Sequence, residues 1–196
     1  MISWSGSSVA KPTDPVTNTM GQDVNEGWLH KIKTRKASNY LIEGGTVGKI
    51  QLGATGDYKN LDSLVYDVSL LLDDPHRNAG DLVAIVGRTL LAQEKVKFYD
   101  VNAATPTEKS RIEDKQVIGT YGGLSVITVP YFPETGLLIT SLKNLSIYIQ
   151  DNSVRRHVVD NPKRSRYENY FSMNEDFVIE DYGKVAAIEA ANLEFV

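Results

Sequence analysis

Hydrophobic positions change period several times along the chain, and each change marks an element. The clearest helical stretch is residues 58–74. There Leu61, Leu64, Val65, Val68, Leu71 and Leu72 recur at i, i+3, i+4 and i+7. Asn60 or Asp57 stands where a cap is needed, and Pro75 stops the helix. Residues 23–36 predict a second helix, with Asp23 as cap and Glu26 three positions on, as in a capping box. Lys31, Lys33, Arg35 and Lys36 crowd its C-terminal end, where the helix dipole favours cations. Trp28, Leu29 and Ile32 form its buried stripe, and Gly27 weakens it by up to about 1 kcal/mol. The apolar run LVAIVG (82–87) predicts a buried strand leading into a helix from Arg88 to about Tyr99. Residues 117–129 predict a hairpin turning at Gly122-Gly123 and ended by Pro130 and Pro133. GLLIT (136–140) is another short strand. Leu145, Ile147 and Ile149 alternate with Ser146, Tyr148 and Gln150, the period of two of a strand. Val178 and the run 185–188 resume an extended pattern. Helices and strands mix irregularly, so the fold class is α+β.

Between these elements lie polar stretches. Residues 1–22 are rich in Ser, Thr, Gly and Pro, with Trp4 as one large anchor, and predict an extended segment. Residues 103–114 carry Pro106 and predict an exposed loop. Residues 43–57 hold five glycines and raise the question of a phosphate-binding loop. Gly48-Lys49 is followed by Ile50 rather than Ser or Thr, and Glu43 stands where the first glycine belongs, so both the backbone cradle and the magnesium hydroxyl are missing. A loop or hairpin tip accounts for these glycines. The strand–glycine–helix junction at Leu82 to Arg88 offers a nucleotide or small-molecule enzyme as an alternative function. One glycine without G-x-G-x-x-G spacing supports it weakly, and close strand–helix packing explains the same residues.

Composition adds exclusions. A chain of 196 residues suggests one domain, or one domain with an extension, and 41% hydrophobic with 23% charged residues is ordinary for a globular protein. There is no cysteine, which removes disulfides, thiolate metal sites and a cysteine nucleophile. The three histidines, His30, His76 and His157, are far apart, each with one acid within a helical turn (Glu26, Asp73 and Asp160), an incomplete set for a metal. No G-x-S-x-G elbow occurs. The paired carboxylates Asp73-Asp74 and Glu180-Asp181 suit helix ends and solvated loops. Asn144-Leu145-Ser146 fits a glycosylation sequon, but no secretory signal accompanies it. No cofactor is expected, and no run of 18 apolar residues points to a membrane.

Charge changes the picture more. Net charge is −4, yet charges segregate near the C-terminus. Residues 155–166 carry Arg155, Arg156, Lys163, Arg164 and Arg166 against one acid, Asp160; residues 167–181 carry Glu168, Glu175, Asp176, Glu180 and Asp181 and no Lys or Arg. The basic run 155–166 offers a nucleic-acid-binding module as a second alternative, since such patches bind phosphate backbones and Tyr167 and Tyr170 could stack bases. The acids that follow would repel the same backbone. Two other readings stand nearly level: a positive strip on one copy facing a negative strip on the next, and a self-neutralising hairpin within one chain. The candidate interface charges are Arg155, Arg156, Lys163, Arg164, Arg166, Glu168, Glu175 and Asp176.

The same region carries a resemblance. The block R-R-x-x-x-x-N-P-K-x-x-R-x-E-N-Y-x-S-M-N, within residues 144–183, resembles the C-terminal part of the major capsid proteins of P2-type tailed phages. DVNEGWLHKI, the Gly56-Asp57-Tyr58 helix start, VAIVGRTLLA and VPYFP fit that family in the same order. The resemblance implies the phage coat fold usually named after phage HK-ninety-seven, mainly its axial domain with part of its peripheral domain. Residues 23–144 with 183–196 would be axial, 145–182 peripheral strands, and 1–22 an extended segment following a spine helix that has no counterpart here, like the N-terminal arm and the extended loop. It implies a structural subunit, not an enzyme, that self-assembles into an icosahedral virion shell around double-stranded DNA in a bacterial host. Its partners would be copies of itself in pentamers and hexamers, with scaffold and portal proteins, and packaged DNA nearby without specific recognition. This chain alone is expected to be monomeric or weakly oligomeric.

Overall fold

A computed structural model describes Trp4 and residues 24–102 and 119–196; for 97–102 it describes the backbone only. The extended segment 1–22 (apart from Trp4), the cap Asp23, the loop 103–114 and the first residues of the expected hairpin lie outside the described residues. Three α-helices are described: α1 (Trp28–Arg35), α2 (Leu61–Leu70) and α3 (Arg88–Asn102). A mixed sheet is the frame. It is built from β1 (Tyr40–Leu41), β3 (Leu82–Val86), β4 (Thr120–Tyr121), β5 (Leu124–Ile127), β6 (Leu137–Ser141) and β11 (Val185–Ile188), in the order β1-β11-β6-β3-β5-β4. β2 (Ile50–Leu52) pairs in parallel with β12 (Leu193–Phe195) beside it.

Both faces of this sheet are covered, which explains its unbroken apolar strands. On one face Ala84, Val86, Leu137, Ile139, Ala186 and Ile188 meet the Leu61, Leu64, Val65 and Val68 stripe of α2. On the other, Ile85, Leu138, Val185 and Ala187 meet Trp28, Leu29 and Ile32 of α1 with Phe132, Phe177 and Ile179. Trp4 is buried here and bridges two rings edge-on, with centroids 4.9 Å from Trp28 and 5.1 Å from Phe132. Such edge-to-face contacts add about 0.5–1.5 kcal/mol each beyond area burial.

Local chemistry sets the boundaries. Of the two caps considered for α2, Asn60 acts: its Oδ1 accepts the Ser63 N–H at 3.0 Å. Asp57 instead turns back to accept the Gln51 N–H at 3.3 Å, within the glycine-rich loop. The helix ends at Leu70, and Pro75 sits in a following 3₁₀ turn (Asp74–His76). The helix expected over 23–36 begins only at Trp28. Gly27 is its N-cap rather than an interior weak point, Glu26 lies before it, and no side chain caps it. Tryptophan burial fixes the start; the capping-box pattern does not. The hairpin of β4 and β5 turns at Gly122 (φ 57°) and Gly123 (φ 80°), two consecutive positive φ values that a tight type I′ turn demands.

Candidate subunit interface

Residues 145–179 leave the body as one bent antiparallel ribbon. Its root pairs β7 (Leu145–Ile149) with β10 (Glu175–Ile179); its outer half pairs β8 (Arg155–Asn161) with β9 (Arg166–Ser172). Seven residues of strand span about 23 Å, and nearly every outer side chain is exposed. Between the halves, residues 150–154 oppose only Met173 and Asn174. Asn174 locks this joint: its O accepts the Gln150 N–H (3.0 Å), its N–H is donated to Ser153 Oγ (3.1 Å), and its Nδ2 is donated to Gln150 Oε1 (2.8 Å).

The root is held by α1 and the turn before it. Asn25 Nδ2 is donated to Glu175 O (3.0 Å) and Trp28 Nε1 to Val178 O (3.0 Å). Lys31, only 3% exposed, donates to Phe177 O and meets Asp176 Oδ1 at 2.7 Å. These donors satisfy the main chain of a strand that would otherwise present an open edge.

The eight candidate charges divide. Asp176 serves Lys31, and Glu175 is half-buried at the root opposite Ile149. Arg166 and Glu168 meet on one face of the outer ribbon, with Arg166 Nε and Nη2 at 2.9 and 2.7 Å from Glu168 Oε1. Tyr170 donates its hydroxyl to the other oxygen at 2.7 Å, and Asn161 Nδ2 adds a 3.2 Å bond. These donors, Tyr170 first, hold the Glu168 carboxyl below the ordinary glutamate range. Arg156 Nε is donated to Asn169 Oδ1 at 3.2 Å on the opposite face. Lys163 and Arg164 sit at the tip, in a 3₁₀ turn (Pro162–Arg164) closed by Ser165 at φ 50°. Arg155, Lys163 and Arg164 are exposed, and the described ion pairs do not include them. The self-neutralising hairpin therefore accounts for Arg166 and Glu168, while Arg155, Lys163 and Arg164 face water and Arg156 meets only the neutral Asn169.

Sequence reasoning missed the apolar side of the ribbon. Ile147 and Ile149, which alternate as a strand, are about half exposed, as are Val158 and Phe171, and Tyr167 is more exposed still. At the root this face passes from core to surface, since Leu145, Phe177 and Ile179 pack on the second core while Ile147 and Ile149 reach beyond it, and the outer strands have no described layer over them. Lys31 was also missed: a charge inside a basic cluster gives no sign of burial until its partner 145 residues away is placed.

The other candidate sites are filled from within the chain. At the strand–helix junction, two N–H groups in the first turn of α3, those of Thr89 and Leu90, are donated to Glu134 O at 3.1 and 3.2 Å, and Thr89 Oγ1 to Glu134 Oε2 at 3.0 Å. A Cβ on Gly87 would lie 2.1 Å from Glu134 O. Gly87 thus admits the loop 129–136, and the space a phosphate would use holds Glu134. His76 meets Asp181 (3.0 Å) rather than its sequence neighbour Asp73, and Asp73 meets Lys36 (3.0 Å). Among the described residues no three His, Asp or Glu gather as a metal set, and no helix is long and apolar enough to cross a membrane. Asn144 is buried and bonded through both side-chain atoms to the Asp181 backbone, so the sequon offers no free amide.

Comparison with known proteins gives these surfaces a setting. The chain matches the family described as phage major capsid protein, P2 family, over residues 1–191. It is 38% identical to the "Capsid proteins" of Escherichia phage P2, covering 96% of this chain and 55% of that protein. It is 33% identical to the major capsid protein of Serratia phage KSP20, covering 96% of this chain and 56% of the relative. A solved structure, "Satellite phage P4 procapsid including size determination (Sid) protein", superposes with a TM-score of 0.86 at 35% identity, over all of this chain and 59% of that one. The chain thus spans a little over half the length of the relatives it matches.

Proposed function

This chain belongs to the P2 family of phage major capsid proteins, and from that premise we propose that it builds a shell by meeting copies of itself in rings of five and six, the ribbon being one of its contact elements. The reading is structural and not enzymatic. The observation that carries it is the outer ribbon, which holds Arg155, Lys163 and Arg164 in water beyond a root that α1 and the turn before it brace. A shell subunit needs many weak heterologous contacts in fixed register, and exposed charge supplies register more than affinity. The shell is that of a virion enclosing double-stranded DNA and made in a bacterial cytoplasm. Scaffold and portal proteins are the further partners this implies. The net charge of −4 and the acids beside the basic run favour DNA as enclosed cargo over DNA as a recognised ligand. Residues 145–182 act as the peripheral part and the mixed sheet as the axial part.

The test is made in a full-length coat protein of this family carrying the equivalent ribbon. Arg155→Glu with Arg164→Glu puts like charges where complementary ones are needed. Particle yield by electron microscopy should fall while the subunit melting temperature holds. Normal particles would remove the ribbon from the interface; an unfolded subunit would make these charges internal supports.

A further inference from the structure

We infer that the outer ribbon carries a self-complementary patch through which two copies of this chain pair ribbon to ribbon about a two-fold axis; this rests on reading the ribbon as a contact element between copies. The register of β8 and β9 places Arg156 opposite Phe171, Val158 opposite Asn169, and Asp160 opposite Tyr167. Directly opposed residues share a face, and alternate residues along a strand share it too. One face therefore reads Arg156, Val158, Asp160 along β8 and Phe171, Asn169, Tyr167 along β9. The other face holds the Glu168 network, whose polar groups bond one another. The first face has no such closure. Asp160 is exposed with no described partner, Arg156 spends Nε on Asn169 and keeps its terminal nitrogens, and Val158, Phe171 and Tyr167 stand 53%, 61% and 77% exposed.

The order of these residues names the occupant. Val158 lies midway between a cation and an anion on its own strand, and Asn169 midway between two aromatic rings on the other. A two-fold axis between two such ribbons, running across the strands at the level of Val158 and Asn169, brings Arg156 onto the partner's Asp160 and Asp160 onto the partner's Arg156. The same rotation stacks Phe171 on the partner's Tyr167 and sets Val158 against the partner's Val158. Every group meets its complement, which is the condition for an isologous contact. A second copy satisfies both charges at once; an unrelated apolar surface would leave both unpaired in the contact. The patch is only three residue pairs long, far below the roughly 800 Å² per partner of a stable interface. Pairing is consequently weak and rises with concentration.

The chain has no cysteine, so one introduced thiol reports its neighbour without ambiguity. Val158→Cys places thiols across the proposed axis, and His157→Cys, opposite Tyr170, places them on the other face. A short bis-maleimide should link the first into dimers at twice the 21.7 kDa chain mass and leave the second monomeric. On the Val158→Cys background, Arg156→Asp or Asp160→Arg alone should cut the linked fraction about tenfold, since each meets like charge twice. The double swap Arg156→Asp with Asp160→Arg should restore it, yet a mixture of swapped and unswapped chains should form only like-with-like dimers. Melting temperatures identify any variant that fails to fold, and the double swap, which keeps the composition, then decides alone. Equal linking from both faces, or no linking at Val158→Cys, overturns the proposal. So does a double swap that stays unlinked, which would mark a heterologous contact with another surface. If full-length particles tolerate the Arg155 and Arg164 reversal while Val158→Cys links, the pairing stands and the shell role falls. If reversal abolishes particles and no link forms, the shell role stands and the pairing falls.

Discussion

Single residues in this chain succeed or fail by what lies over them. Leu64 is fully buried at the centre of the α2 stripe, between the helix and the sheet face of Ala84 and Ile139. Leu64→Ala should cost about 2–5 kcal/mol, the range for deleting a packed leucine where the site cannot collapse. Chemical denaturation measures it; a loss under about 0.5 kcal/mol, the usual surface value, would show that the face is misplaced. Lys31 shows the opposite economy. Its stem is enclosed by the second core and its charge is met by an acid at the water boundary, so removing Asp176 would leave an unpaired ammonium in a nearly dry site. Tyr131 is held at φ 61° between Pro130 and Pro133 while its neighbour Phe132 is buried, so the corner projects one ring into solvent as it anchors the next. A non-glycine residue in that region carries roughly 1–2 kcal/mol of strain.

Among elements, the ribbon is the exception. A two-stranded ribbon is marginal unless something packs on it, and the outer half here relies on its joint, its ladder and the Glu168 network. Glu168 makes that reliance dependent on pH. Its donors, Tyr170, Arg166 and Asn161, favour the carboxylate, so the folded value lies below the unfolded one. Its stabilising effect is therefore complete above the ordinary glutamate range and lost as pH falls through the lowered value. Hydrogen exchange of β8 and β9 amides should lose protection below about pH 4, the ordinary range for glutamate, while the mixed sheet stays protected. Glu168→Gln should show the weakened ribbon already at neutral pH and flatten the response. A ribbon equally protected at pH 3 and pH 7 would show that the network contributes nothing.

For the whole molecule, the sheet with helices on both faces is a complete core, and the surfaces left over are those of a component. The chain should fold alone, because its packed elements lie within the described residues. These 196 residues by themselves should not close into shells, because they span a little over half of the length of the relatives they match. Light scattering over a wide concentration range should give a mass near 21.7 kDa, rising toward a dimer at high concentration. Stable pentamers, hexamers or particles at micromolar protein would show that this portion carries enough contact by itself.

Elements whose burial is local in origin can be read from residue order alone. The α2 stripe, the continuous apolar strands β3, β6 and β11, and the Gly122-Gly123 turn were legible because period and φ preference act over a few residues. The block around Arg155 to Asn174 was legible as family likeness for the same reason, since it is one continuous string. The packed fold settles what depends on distant partners. It started α1 at Trp28, where the ring enters the core, rather than at the capping pattern. It filled the α3 N-terminus with Glu134, buried Lys31 against a strand 145 residues away, and left Ile147 and Ile149 half exposed although they alternate with polar residues as a half-buried strand does. Alternation states which residues share a face, and only the arrangement of layers states whether that face is covered.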